Sequence, residues 1–353
     1  MNSSDLNFSI HIDELLKRIA NILFLNSGLI NNLGLLNGKM GIAVFFYHYS
    51  RYSENKNFDN FAGELLNEIY AEINTNTPVS FADGLTGIGW GIQYLVKNKF
   101  VDADITEVLS EIDVALYQIR HKTQVLINNQ DHFFNFGHYF IERLNNLKSE
   151  KEKKESFIKK NNPSFIIHEC ERYILQGEFL KRIQTDAAID QLNSLIWFLL
   201  EAERFNFYPV KSRNILKCLL GNIEEIQIEP ALSSKLELLI DLLKKSVDSS
   251  SDMIVFEKLK KSLEKHKKTG IKNKTEYLIK NTCQKIIYGD YCRKMELNFP
   301  LAELLCEMNK DNFWKYFLDN FKNDHLSLTG IGGLGLGLIH NTLITNKVNH
   351  VHI

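Results

Sequence analysis

One glycine frame occurs three times in this chain, and it constrains the fold more than any other feature. Its first copy is Gly34-Leu35-Leu36-Asn37-Gly38-Lys39-Met40-Gly41-Ile42-Ala43. Gly84-Leu85-Thr86-Gly87-Ile88-Gly89-Trp90-Gly91 repeats it, and so does Gly330-Ile331-Gly332-Gly333-Leu334-Gly335-Leu336-Gly337. Each copy reads G-x-x-G, an aliphatic residue, Ala or Gly, and then a mostly apolar run. Glycine lets the chain turn sharply, and an apolar run of helical length must be buried. The pattern therefore predicts helices that begin at a tight turn and lie inside the protein.

A second helix type alternates with the first. Asn57–Ile73 carries Phe58, Phe61, Leu65, Leu66, Ile69 and Ile73 on one stripe, with Glu64, Glu68 and Glu72 off it. That is the amphipathic spacing of a helix packed on the outside of a core. Residues 8–24 have the same period and stop at Asn26-Ser27-Gly28. The second frame opens a helix to about Lys97, and Asp102 or Asp104 can cap the helix after it. Five prolines in 353 residues suit long helices, because proline in a helix interior costs about 3 kcal/mol. No run alternates as a strand does, and no stretch reads as a flexible linker. The fold class is all-α, in a single domain over residues 1–353.

The spacing of the frame gives the architecture. Gly84 follows Gly38 by 46 residues and Gly330 follows it by 292, which is six steps of about 49. Seven helical-hairpin units fit, an α/α toroid with an inner and an outer ring. The third unit is degenerate: Asp131-His132-Phe133-Phe134-Asn135-Phe136-Gly137-His138 keeps Gly137 in register with Gly89 but puts His132 and Asn135 at the frame glycines. The fourth to sixth keep helical runs, such as Asp190–Leu200, Leu232–Leu243 and Met253–Leu263, without the frame. Lys148–Lys160 is dense in both charges and reads as a solvated face.

Several function classes are excluded. A formal net charge of −1 gives no basic face for nucleic acid. No G-x-x-x-x-G-K-[ST] phosphate loop is present. No apolar run is long enough to span a membrane, and Met1-Asn2-Ser3-Ser4-Asp5 does not begin a signal peptide. Cys170, Cys218, Cys283, Cys292 and Cys306 are odd in number and scattered, which points to a reducing cytoplasm. His168-Glu169-Cys170-Glu171 lacks the second histidine of a zincin motif.

Frames of this form, at this spacing in an all-helical chain, resemble the lanthionine synthetase C-like (LanC-like) family. The motif likeness covers roughly residues 30–145 and 325–340, and the repeat length covers nearly the whole chain. The resemblance implies a toroid of seven inner and seven outer helices, and a role in ribosomal peptide modification, with a precursor peptide or a peptide-modification enzyme as partner. Cyclases of the family add a cysteine thiolate to a dehydrated serine or threonine. They use a zinc ion held by a Trp-Cys-x-Gly stretch and a Cys-His-Gly stretch. This chain has neither stretch. Cys283, Cys292 and His325 lie nearest the expected late repeats, but their spacing asks for no metal, so no metal ligand and no cofactor are expected.

In a ring of inner helices the N-termini converge, and their unpaired N–H groups suit an anionic or carbonyl-rich ligand. Asn37, Gly38, Gly84, Thr329 and Gly330 are the candidate substrate-binding positions. The catalytic candidates are Asp83, His132 and His138. Asp83 corresponds loosely to an acidic residue of the family, whose functional aspartate lies a few residues earlier, where Ser80 stands here. Its alternative role is an N-cap. A histidine at the mouth could move a proton near neutral pH, or could simply be packed or solvated. His48, on an apolar helix, reads as a core residue. Two other functions compete with the cyclase-like one: a non-catalytic peptide- or partner-binding toroid, and a carbohydrate-active barrel. The last needs two carboxylates about 5–10 Å apart, and Asp83 is the one candidate.

Overall fold

A computed structural model describes residues 3–121, 130–145, 165–172, 174, 186–223, 242–244 and 326–350, with isolated positions between 253 and 315. Every regular element among the described residues is a helix. The chain divides into two compact units, one formed by Met1–Asp102 with Leu278–Ile353 and the other by Ala103–Tyr277. Cys283, Cys292, Cys306, His325 and the charged stretch Lys148–Lys160 lie outside the described residues.

In the first unit, α1 (Ser3–Asn26), α2 (Lys39–Ser53), α3 (Lys56–Glu72) and α4 (Leu85–Lys97) are consecutive helices. α1 stops at Asn26 and a short 3-10 turn, Ser27–Leu29, follows. The two helix types separate as their patterns require. From Lys39 to Ser50 every residue of α2 except His48 is buried, and α4 is buried from Leu85 to Gln93. On α3 only Ala62, Leu65, Leu66 and Ile69 are buried, one stripe of an amphipathic helix. α3 packs on α2, and there Phe46 meets the Phe61 ring edge-on at 4.9 Å. Rings in that arrangement add about 0.5–1.5 kcal/mol to what their burial contributes.

In the second unit, Asp104 caps the short α5 (Ile105–Val108), accepting from the N–H groups of Thr106 and Glu107. α6 (Ser110–His121), α7 (Gln130–Asn145), α8 (Asp186–Arg204) and α9 (Pro209–Ile223) follow. α8 packs against α7 and α9. α7 departs from the frame alignment at His132, which lies inside the helix where Gly38 and Gly84 cap theirs; Asn135 is helical, as Gly41 and Gly87 are. Neither position holds a glycine, so nothing opens a turn there. Gly137 keeps its packing role: a Cβ on it would lie 2.5 Å from the Phe198 ring.

The last described helix, α10 (Ile331–His350), returns to the first unit and packs on α2 and α1. The third frame therefore lies beside the first. Gly335 admits Phe45, whose ring would be 2.4 Å from an added Cβ. Among the described residues no helix is long and apolar enough to cross a membrane.

Candidate functional site

The loops before α2 and α4 have the same conformation. Lys39 N–H donates to Asn32 O at 2.8 Å, and Leu85 N–H donates to Pro78 O at 2.8 Å, each seven residues back. The next N–H groups repeat the step, from Met40 to Leu33 O and from Thr86 to Val79 O. The caps are glycines because the loop folds directly over them. A Cβ on Gly84 would lie 1.8 Å from Pro78 O, and one on Gly38 would lie 2.4 Å from Asn32 O. The first-turn N–H groups are thus taken up by the protein's own carbonyls. What can meet a ligand at this end is side chain.

The three frames join through equivalent positions. With Gly38, Gly84 and Gly330 in register, Asn37, Asp83 and Thr329 occupy one position in three copies. Asn37 N–H approaches Ala82 O at 3.4 Å, and Thr329 N–H donates to Leu36 O at 3.0 Å, the same bond in the two junctions. Their side chains form a second line. Thr329 Oγ1 donates to Asn37 Oδ1 at 2.7 Å, and Asn37 Nδ2 donates to Asp83 Oδ1 at 2.9 Å. Asn32 Nδ2 also donates to Asp83 Oδ1, at 2.7 Å, while Asn32 Oδ1 accepts from Gly34 N–H. A carboxylate only accepts, so it fixes the orientation of both amides. Ser327 Oγ closes the junction by donating to Gly38 O at 2.8 Å.

Asp83 is not an N-cap. Gly84 holds that place in α4 and no side chain caps the helix. The carboxylate is turned to Asn32 and Asn37 instead, because the loop carbonyls already occupy the helix N–H groups. Its Oδ2 has no hydrogen-bond partner among the described residues.

Asp83 lines an open cleft of about 440 Å³. Asn31, Asn32, Asn74 and Asn76 also line it, with Thr77 and Glu72. Asn74 shapes its own turn, accepting from Asn76 N–H and donating to Glu72 O. Glu72 is a carboxylate that sequence reasoning placed only on an outer helix face. It accepts from Lys39 Nζ at 2.8 Å, and Glu68 lies 3.0 Å from the same nitrogen. Burial works against the charge of Lys39, but hydrogen bonds and attraction from Glu72 and Glu68 outweigh it and raise its pKa. The lysine of Gly38-Lys39-Met40-Gly41 is a wall of the fold, not a ligand group.

The structure thus brings Asn37, Asp83 and Thr329 together with Gly38, Gly84 and Gly330. His132 and His138 belong to the second unit. Of His132 the backbone is described, within α7. His138 is buried, stacked on Trp197 with ring centroids 3.4 Å apart, and its Nε2 donates to Ser194 O at 3.0 Å. Burial pushes its pKa well below the ordinary histidine value, against a smaller opposing effect of that hydrogen bond. His48 Nε2 is paired with Tyr94 Oη at 2.7 Å, and its pKa is pushed down to about 3 by burial first, then by His340 and Arg51.

No arrangement among the described residues suits the zinc site of the resembled family. Cys170 is fully buried, and burial drives its thiol pKa well above the ordinary value, away from the thiolate a metal takes. No group of three or more His, Cys, Asp or Glu among the described residues is placed to hold a metal ion. The chain matches no protein-family model, no curated protein and no solved structure.

Proposed function

We propose that this chain is a diverged LanC-like α/α toroid that engages a precursor peptide in ribosomal peptide modification, without the family's zinc-thiolate step. One observation carries it: the Thr329–Asn37–Asp83 line, which joins the last frame to the first and the first to the second through equivalent positions. A ring of repeats returns its last unit to its first, and an open array does not. The peptide meets the amide-lined cleft beside Asp83. There Asn side chains offer both donors and acceptors to a peptide backbone, and the outer carboxylate oxygen accepts an N–H or O–H.

The carbohydrate-active alternative gains one observation, since Glu72 supplies a second carboxylate to the same cleft. Its pairing with Lys39 favours binding over hydrolysis.

The test is calorimetric titration of the full chain with a peptide rich in Ser, Thr and Cys and with its dehydrated form. Saturable binding of either, weakened tenfold or more in Asp83→Ala with folding retained, is the expected result. Binding of neither peptide, with hydrolysis of an oligosaccharide, would replace this reading with the carbohydrate one. A count of peptide thiols after incubation tells whether a thioether forms.

A further inference from the structure

The cleft beside Asp83 carries two carboxylates in its lining, Asp83 and Glu72, and no cation. Behind Glu72, Lys39 Nζ lies 2.8 Å from that residue and 3.0 Å from Glu68, so two carboxylates share one ammonium. The wall thus keeps one net negative charge, and Asp83 adds another. Asn32 and Asn74 use their side chains within the loops, on Asp83 and Gly34 and on Asn76 N–H and Glu72 O. The side chains of Asn31 and Asn76, both exposed in the lining, make no hydrogen bond among the described residues. Leu33 and Pro78 supply apolar surface to the same cleft.

We propose that this cleft selects a peptide segment carrying lysine, whose side-chain ammonium pairs with Asp83; the proposal rests on the peptide reading for the rest of the ligand. The charge of the lining favours a cation, and the state of the Asp83 carboxylate chooses between the two basic side chains. Asp83 Oδ1 accepts from both Asn32 and Asn37, at 2.7 and 2.9 Å, and Oδ2 accepts from none of the described residues. A guanidinium pairs best as a fork, with two parallel N–H bonds to the two oxygens of one carboxylate. With Oδ1 occupied twice, that fork forms only by displacing a loop amide. An ammonium needs one oxygen of the carboxylate and turns its other donors to whatever acceptors stand near. The amide oxygens of Asn31 and Asn76 are such acceptors. Leu33 and Pro78 suit the methylene stem, which packs on apolar surface while its head stays among polar groups. The cleft is open to solvent, so the preference is modest, about fivefold over an uncharged residue at low salt.

The test uses short peptides of one Ser- and Thr-rich sequence, N-acetylated and C-amidated, with Lys, Arg, norleucine or Glu at the centre. They are titrated into the full chain while the asparagine side-chain amide resonances are followed by NMR. The lysine peptide should bind about fivefold more tightly than the arginine and norleucine peptides, and the glutamate peptide most weakly. It should shift the Asn31 and Asn76 amides, and its advantage should shrink at about 0.5 M salt, where charges are screened within about 5 Å. Asp83→Asn, which keeps an acceptor for the loop amides, should bind the lysine and norleucine peptides alike. A second probe, N-acetyl-lysine methylamide, carries the ammonium without a peptide sequence and should shift the same amides. Shifts with this probe, and binding of no peptide, would end the peptide reading and leave the ammonium site standing. Equal binding of all four peptides would keep the peptide reading and overturn the lysine site. A preference for arginine, or a lysine preference retained in folded Asp83→Asn, overturns it equally, and binding of no probe overturns both. Should Asp83→Asn not fold, the ranking of the peptides on the parent decides alone.

Discussion

Asn37 Nδ2 donates to Asp83 Oδ1 across two copies of the same frame, 46 positions apart in sequence. The bond links equivalent residues that have diverged into complementary partners, an amide and a carboxylate. Because Thr329 feeds the same amide from the other side, the line has a direction, from hydroxyl to amide to carboxylate. The only full charge sits at its end, facing the cleft.

That arrangement separates two roles of Asp83. Asp83→Asn keeps an oxygen that can accept from Asn32 and Asn37, so stability should change by less than about 1 kcal/mol. Asp83→Ala removes the acceptor and should cost about 2–3 kcal/mol. If the charge meets the peptide, both variants lose binding. Urea denaturation beside calorimetric titration checks this, and full binding by Asp83→Asn would confine the residue to holding loops.

Gly84 and Gly63 should respond to alanine in opposite ways. A Cβ at Gly84 has backbone at 1.8 Å, and backbone cannot swing aside. Gly84→Ala should lose at least about 3 kcal/mol or fail to accumulate as folded protein. Gly63 lies within α3, where the nearest atom to an added Cβ is Tyr47 Oη at 3.8 Å. Gly63→Ala should gain about 0.5–1 kcal/mol through helix propensity. Thermal melts of the two variants suffice.

The second unit depends on a buried ion pair. Arg143 is 1% exposed, and its Nη2 lies 2.5 Å from Asp113 Oδ2, while Tyr139 Oη donates to Asp113 Oδ1 at 2.7 Å. Asp113→Ala strands the guanidinium and should cost about 3–5 kcal/mol. Asp113→Asn keeps an acceptor and should cost less. A larger loss in the Asn variant, by chemical denaturation, would contradict this.

The frames were legible in the sequence because glycine cannot be replaced where backbone crosses backbone. Positions 38, 84 and 330 announced themselves: the structure caps α2 and α4 with Gly38 and Gly84 in matching turns, and α10 starts directly after Gly330. Helix types were equally readable, since α2 and α4 are apolar on nearly every face and α3 is not. The role of Asp83 was not readable. Its partners Asn32 and Asn37 are distant in sequence, whereas the cap that it seemed to offer is local. The same holds for Glu72, whose place off the apolar stripe said outer face and whose side chain turned to Lys39. His132 shows the limit of register arguments, because a frame that has lost its glycines lets the helix run on through it.

Acid should weaken the fold through His138. The unfolded chain takes up a proton near pH 6.5, and the folded chain resists it because burial holds His138 well below that value. Its contribution to stability is therefore intact above about pH 6.5 and falls as the pH drops below it. His138→Phe keeps a ring against Trp197 but does not titrate. The loss of denaturation midpoint between pH 7.5 and 4.5 should be smaller in this variant, and an unchanged loss would assign the acid sensitivity elsewhere.

The pairing of Thr329 with Leu36 also sets an order of events during synthesis. These residues are 293 positions apart, and until the later one leaves the ribosome, the face of α2 that meets α10 has nothing to cover it. Gly41 and Phe45 must wait through most of translation for Ser327 and Gly335. Contacts so far apart in sequence form slowly and leave apolar surface open to mispairing. A nascent chain of this protein is therefore an unfinished seam, closed by its third glycine frame.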